Sequence, residues 1–395
     1  MLSQQRLNIA RIQSTIICCF FLIGVSLGGL PLVIHQNMGF GNTMVGIVIA
    51  MQFLAALCSR FMMGHLLWHL GPKKTVSAGL MILALYGLVL MLSSQIADPT
   101  LAITSLIIGR IILGFAEGIL ITAAITWCIE RLQSDAGTAQ VLSITGISIY
   151  AAIACGAPVG IYLLQQYDLT ALGCMTLLLP FISLAIIWRV ADVSSKHQQK
   201  ASLSLVFPKV LIFGGVLFFH AVGFAAIESF ASLYFKASAW SLMPWALLVF
   251  GLSFVITRLI LGHLLQGQQL YRLAIFSIAL EAIGLACLAI APNQYIALAA
   301  MSLTGASCSL IFPALGTLVS QHCAAHERGT AMGLYSAFMD MSYVLSGPVI
   351  GTIIAASTYR QGFLWTALCA AFGLLLLIYN SKAKPAHTLP SNSKR

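Results

Sequence analysis

Apolar runs of about twenty residues, the length that crosses a lipid core as a helix, recur twelve times along this chain. They fall at 14–34, 45–67, 75–94, 101–127, 141–164, 170–190, 209–235, 241–265, 271–291, 295–320, 331–356 and 362–379. A helix satisfies its own backbone hydrogen bonds in lipid, so each run is predicted α-helical. The first run follows Arg6 and Arg11 in the manner of a signal peptide. It is long, lacks a small-x-small cleavage site and is followed by eleven more runs, so it is predicted to be retained. One long polar stretch, 191–206, interrupts the pattern and is predicted to be a cytoplasmic linker between six-helix halves at 1–190 and 207–379. Residues 380–395 are polar and basic and are expected to be disordered.

The halves echo one another. Ser59-Arg60-Phe61-Met62-Met63-Gly64-His65-Leu66-Leu67 returns as Thr257-Arg258-Leu259-Ile260-Leu261-Gly262-His263-Leu264-Leu265, five identities in nine at an offset of 198 residues. Leucine matches are cheap in so apolar a chain, but Arg, Gly and His matching in register are not. Gly137-Thr138-Ala139 with Ala157-Pro158-Val159-Gly160 is likewise answered by Gly329-Thr330-Ala331 with Gly347-Pro348-Val349-Ile350-Gly351. Two homologous halves in the same order are an architecture of membrane carriers.

Composition agrees. Only 8% of residues are charged and 59% are hydrophobic, against about a quarter charged in soluble domains. A net charge of +10 would suggest nucleic acid in a soluble protein, but here it follows topology. Seventeen Lys and Arg, Lys73, Lys74, Arg131 and Lys209 among them, fall on one predicted side, and only Lys236 and Arg360 on the other. Positive residues mark cytoplasmic loops, so both termini are predicted cytoplasmic, in a cell membrane, with no nucleic-acid partner. Nine of the ten cysteines lie in or at the end of apolar runs, Cys323 being the exception, and they read as small apolar residues rather than a disulfide framework.

A family resemblance enters at the loop after the second run, Gly64-His65-Leu66-Leu67-Trp68-His69-Leu70-Gly71-Pro72-Lys73-Lys74. It resembles the loop signature of the major facilitator superfamily, Gly-x-Leu-x-Asp-Arg-x-Gly-Arg-Lys. Arg110-x-x-x-Gly114-x-x-x-Gly118 in the fourth run and Gly156-Ala157-Pro158-Val159-Gly160 in the fifth are similar to two further signatures, the latter to that of proton-driven exporters. The ensemble resembles the arabinose-efflux-type, YhhS-like branch of twelve-helix permeases. The resemblance implies an all-α integral membrane fold of twelve transmembrane helices in two pseudo-symmetric six-helix halves. It makes Arg60, Gly64, Gly71, Lys73 and Lys74 a gating loop, and it implies a central cavity lined by helices one, four, seven and ten. The loop acid of the signature is Trp68 here, and Gln266 in the second half, so the gate latch must be made differently or be weaker.

Charges inside the runs are the candidate chemistry, since a charge at a helix centre costs about 2.5–3.5 kcal/mol on insertion scales and commonly faces a cavity or a partner. They are Arg110, Glu117, Glu228, Glu281 and Asp340, joined by the titratable His220. Arg110 and Glu117 share a face of one helix about 10 Å apart, too far to pair directly, so that a substrate or water would have to bridge them. Arg110 and Glu228 fall at similar depth, which allows a contact across the halves. Arg110, Glu117, His220, Glu228 and Tyr150 are the expected substrate-cavity residues; His220 as a packing histidine stays open, and Glu281 is read as a structural hydrogen bonder. Phe218, Phe219, Phe224, Phe230 and Tyr150 either line an apolar substrate wall or face lipid. The small-residue pairs Gly114 with Gly118 and Gly156 with Gly160 let helices approach closely, as surfaces that rock or as plain packing.

Rival classes find little support. Gly24-Val25-Ser26-Leu27-Gly28 matches a hydrolase elbow only in spelling, because it lies inside a span. His65 with His69 and His322 with His326 have helical metal-ligand spacing but no accompanying acid. No phosphate-binding glycine loop is present, so neither enzyme, metal, cofactor nor ATP drive is expected. The expectation is a monomeric secondary transporter working by alternating access; the resemblance further implies export of a small organic molecule against protons, with Glu117, Asp340 and Arg110 in proton coupling. Burial in an apolar cavity favours the neutral form of a carboxyl group, the basis of such coupling. A facilitator, or a proton-symport importer of a sugar or other small metabolite, is the alternative.

Overall fold

The computed structural model describes residues 2–132, 135–193, 202–266, 269–324 and 327–383. The expected linker segment 194–201, His326 and residues 384–395 of the expected tail lie outside the described residues. Within them there are twelve helices and no strand. They are α1 (Leu2–Leu32), α2 and α3 (residues 42–70 and 72–93 of the stretch Asn42–Ser93), α4 (Pro99–Leu132), α5 (Asp135–Gln166) and α6 (Leu169–Ile187). The second set is α7 (Leu203–Ala237), α8 (Trp245–Leu261), α9 (Leu270–Ile290), α10 (Gln294–Gln321), α11 (Arg328–Ala356) and α12 (Tyr359–Ala383). Among the described residues eleven helical stretches are long and apolar enough to cross a membrane, with Asn42–Ser93 counted as one and α8 taken on to Leu265. The helical tract of α12 passes the boundary expected at 380. Asn380 is buried and its Nδ2 donates to Tyr271 Oη at 3.3 Å, a tertiary contact that ties down a polar end composition alone marks as loose. Likewise α7 begins at Leu203, inside the stretch expected to be linker.

Local chemistry ends and starts these helices. Pro31 lies two residues before the α-helix gives way to a π turn at Val33–Asn37, as expected where a residue without an N–H interrupts the ladder. Asp168 accepts from the N–H groups of Thr170 and Ala171, capping α6, and Asn293 does the same for Tyr295 and Ile296 at the start of α10. Between α2 and α3 the chain turns at Gly71, with φ +74° and ψ 164°, a conformation almost confined to glycine. Pro72 then opens α3, its fixed φ suiting a first helical turn.

That corner explains how the loop does without an acid at position 68. Asp192, just beyond α6, reaches it: Oδ1 accepts from the Lys73 N–H at 3.1 Å, and Lys73 Nζ donates to the Trp188 carbonyl at 2.8 Å. The preceding carbonyl, Ala191 O, accepts from both Trp127 Nε1 (3.2 Å) and Arg131 Nη1 (2.7 Å) of α4. The carboxylate is thus supplied from outside the loop motif, at the N-terminus of α3 where the helix dipole favours it.

The two six-helix sets meet chiefly along α2 with α11 and α5 with α8. At the end of the bundle away from the chain termini, Gly46 lies directly on the Gly347 backbone and Gly351 on the Asn42 carbonyl. Tyr359 Oη donates to Asn42 Oδ1 at 2.9 Å beside them. The glycine pairs named from sequence pack elsewhere. Gly114 and Gly118 meet Gln52 and Ser59 of α2, and Gly156 and Gly160 meet Phe21 and Val25 of α1, all within the first set. They hold one half together, whereas Gly46 and Gly347 join the two. All ten cysteines are free thiols, and Cys323, expected in a polar loop, is buried.

Two variants test the corner. Gly71→Ala is expected to lower stability by about 1–3 kcal/mol through its backbone conformation, the more so because a Cβ there would lie 3.0 Å from Asp192 Oδ2. Asp192→Ala is expected to cost about 1 kcal/mol as a lost cap. Thermal unfolding in detergent reads both, and an unchanged midpoint for Gly71→Ala contradicts the strain assigned to the turn.

Candidate functional site

Buried charge gathers at the middle of the bundle. Arg110 of α4 is fully buried, and its Nη1 donates to Gln52 Oε1 of α2. Gln52, also fully buried, turns its amide the other way and donates from Nε2 to Glu117 Oε2 at 2.8 Å. One side chain therefore bridges Arg110 and Glu117, the role sequence reasoning gave to a substrate or water. Gln52 belongs to no motif and carries no charge; the signal for it is an amide midway along an apolar run. Arg110 keeps two N–H donors, Nε and Nη2, with no hydrogen-bond partner.

Glu228 of α7 is buried beside this group, with Tyr343 of α11 next to it and Arg110 and Glu117 as its charged neighbours. The Arg110 to Glu228 contact anticipated from depth is one of neighbourhood, not an ion pair within 4 Å among the described residues. Asp340 of α11 does form such a pair: Arg60 Nε lies 2.6 Å from Asp340 Oδ2, and Arg60 Nη2 donates to Oδ1 at 3.2 Å. This pair crosses from one half to the other, and both of its members count among the charged neighbours of Glu117.

The repeat of Arg60 behaves differently. Arg258 donates through Nη2 to the Ser309 carbonyl and through Nε to Ser309 Oγ at 3.3 Å, within its own half, and lies over the Phe254 ring at 5.5 Å. The sequence echo aligns Asp340 with Ser148 or Tyr150. The second copy of the arginine therefore has no acid to meet, and the cross-half ion pair exists on one side of the pseudo-symmetry only.

Aromatic rings close the centre. Phe53 meets Tyr343 at 4.2 Å between centroids, Tyr343 meets Phe224 at 6.1 Å, Phe224 meets Tyr150 at 5.5 Å, and Tyr150 meets Phe254 at 3.7 Å. The series runs α2, α11, α7, α5, α8 and so crosses both lines along which the halves meet. Tyr150 and Phe224 are thus interior, whereas Phe219 turns away to pack on Phe372 of α12 at 4.7 Å. His220 is not in the group either. Its Nδ1 is 2.7 Å from Glu281 Oε2, inside the second half, so its partner is Glu281 rather than a member of the central group. Of the loop residues, Gly71 and Lys73 form the corner with Asp192, Arg60 bridges the halves, and Gly64 and Lys74 make neither contact.

A family model for the Major Facilitator Superfamily matches residues 14–271 and 245–395. The chain belongs to the Major Facilitator Superfamily. An uncharacterised MFS-type transporter of Pseudomonas aeruginosa strain UCBPP-PA14 is 36% identical over 360 residues, covering 91% of this chain and 89% of that protein. One of Burkholderia pseudomallei strain 1106a is 34% identical over 381 residues, covering 96% and 93%. Among solved structures, a D-xylose-proton symporter superposes with a TM-score of 0.78 at 15% identity over 98% of each chain. The nucleoside transporter NupG gives 0.73 at 14% identity over 95% of this chain and 100% of its own. These likenesses show the fold. The protein is accordingly a multi-pass membrane transporter of the superfamily.

Gln52→Leu removes both the acceptor of Arg110 and the donor to Glu117. It is expected to destabilise the fold by about 1–3 kcal/mol, the penalty of stranding a buried polar partner, and to depress transport. Gln52→Glu keeps the acceptor for Arg110 but sets a second acid against Glu117, so it should lose transport with a smaller loss of stability. Melting temperature and liposome uptake, measured side by side, separate the two effects.

Proposed function

We infer that the protein is a secondary active transporter that moves a small organic solute across the cytoplasmic membrane by alternating access, coupled to protons and working as an exporter. The observation that carries the reading is the charge balance at the centre. Three carboxylates, Glu117, Glu228 and Asp340, lie together with two guanidiniums, Arg60, paired with Asp340, and Arg110, joined to Glu117 through Gln52, while Arg258 is turned to Ser309. One bound proton leaves the group neutral, and a neutral group is the cheapest to hold where water is excluded.

The Arg60 to Asp340 pair gives such a proton mechanical meaning. With Asp340 ionised, the pair ties α2 to α11 across the halves. With Asp340 protonated, the electrostatic part of that tie is gone and the halves are free to rock. Glu117, a neighbour of both members, is placed to exchange the proton, and the unpartnered N–H groups of Arg110 are donors available to a substrate acceptor. The excess of Lys and Arg on one side supports termini in the cytoplasm. The motif ensemble supports the arabinose-efflux-type branch, and the bacterial origin of the relatives supports a bacterial inner membrane.

Proton symport is the second reading. It is favoured by the fold shared with a D-xylose-proton symporter, and it uses the same residues with the opposite sense of coupling.

Reconstitution with an internal pH dye decides between them. Under an imposed pH gradient, candidate sugars, amphiphilic cations and metal-chelating metabolites are added in turn. Substrate-dependent proton flux opposite to substrate movement supports export by antiport, and flux in the same direction supports symport. Glu117→Gln and Asp340→Asn are expected to abolish dependence on the proton gradient while leaving downhill exchange of substrate. If both variants keep full dependence, the proton assignment fails.

A further inference from the structure

We propose that His220, Glu281 and Cys308 form a binding site for one divalent metal ion of intermediate softness, of the zinc or cadmium class, inside the second six-helix half. The residues come from three different helices, α7, α9 and α10, and each is at most 2% exposed. Their ligand atoms all lie within 4.8 Å of one another. Tetrahedral zinc with nitrogen at about 2.0 Å and sulfur at about 2.3 Å separates such ligands by roughly 3.6 Å. Closing the trio on an ion therefore takes side-chain movements of about an ångström and no helix displacement.

Charge selects the ion. A thiolate and a carboxylate together carry two negative charges and the neutral imidazole none, so a divalent cation makes this buried site neutral. The Cys308 proton is displaced to solvent when the metal binds. One nitrogen, one sulfur and one carboxylate oxygen suit zinc or cadmium, whereas calcium and magnesium take oxygen-rich sets. Glu281 Oε1 supplies an independent sign: it is buried and has no hydrogen-bond partner. It faces Gly223, where a Cβ would come within 3.3 Å of it, so the carboxylate is admitted by a glycine and left with an unused lone pair.

The trio is separate from the central group. His220 and Glu228 are eight residues apart on α7, about 12 Å along the helix, with the Phe224 ring between them, 6.4 Å from the imidazole. A metal here braces α7, which carries Glu228, against α9 and α10. The proposal does not depend on the coupling reading, because its test involves no transport.

The purified full-length protein, stripped with a chelator, is titrated with cadmium chloride and followed by its ultraviolet sulfur-to-cadmium charge-transfer absorption. The expected result is one tight equivalent per chain that Cys308→Ala abolishes and that Glu281→Gln and His220→Gln weaken by about tenfold or more. The nine remaining cysteines give the background, measured in Cys308→Ala. Identical titrations of the wild type and Cys308→Ala overturn the proposal, as does the absence of a tight equivalent in the wild type, which leaves the trio a hydrogen-bonded proton site. Should the variants fail to fold, X-ray absorption of the cadmium-loaded wild type decides. One sulfur with nitrogen and oxygen neighbours supports the site, and a sulfur-free or multi-sulfur shell overturns it.

Discussion

An ion moved from water into an apolar bundle loses solvation worth several kcal/mol, and only a partner at hydrogen-bond distance restores it. The centre of this molecule is arranged by that constraint. Arg110 and Glu117, seven residues apart on one helix, cannot reach each other, so an amide from α2 stands between them with its acceptor to one and its donor to the other. Asp340 meets Arg60 across the half boundary, and His220 meets Glu281 within the second half. The glycines that let α2 approach α4, Gly114 against Gln52 and Gly118 against Ser59, follow from the same need. Without that close approach Gln52 would not span the gap.

Carboxylates are so few that most can be assigned a task. Asp98 and Asp168 accept from N–H groups at the starts of α4 and α6, Asp192 from that of Lys73 at the start of α3, and Glu327 pairs with Lys209 at 2.6 Å. Those left inside the bundle are Glu117, Glu228, Glu281 and Asp340, the four singled out from their position in apolar runs. Capping acids lie at helix ends, where solvent shares the cost of charge. Interior acids have no such relief, and their pairing fixes which helices must stay adjacent.

The twelve helices and their order were legible in the sequence because lipid enforces apolar length and leaves the backbone one answer. The interior acids were legible for the same reason, being exceptions to a strong rule. Pairing was not legible. Gln52 carries no charge to draw notice, and the acid at the α2–α3 corner came from Asp192, more than a hundred residues beyond the motif that lacks it. The partner of His220 was not legible either, because helical periodicity puts it on the face of Glu228, while Glu281 lies on α9, a helix the family pattern marks as peripheral. Periodicity reports which way a residue points along its own helix; partner choice depends on how neighbouring helices pack, which a single sequence does not encode locally.

The backbone contact of Gly46 with Gly347 and the ion pair of Arg60 with Asp340 lie on the same two helices, fourteen residues apart along α2, or about 21 Å at 1.5 Å per residue. On the alternating-access reading proposed above, with the glycine contact as a fulcrum, the helix between is a lever arm. A tilt of roughly 15° about it, the size of known rigid-body rotations, moves the guanidinium by about 5 Å and carries it out of ion-pair reach. A bulky side chain at the glycine contact would shift the pivot and change the whole stroke, although neither glycine touches a proton or a substrate.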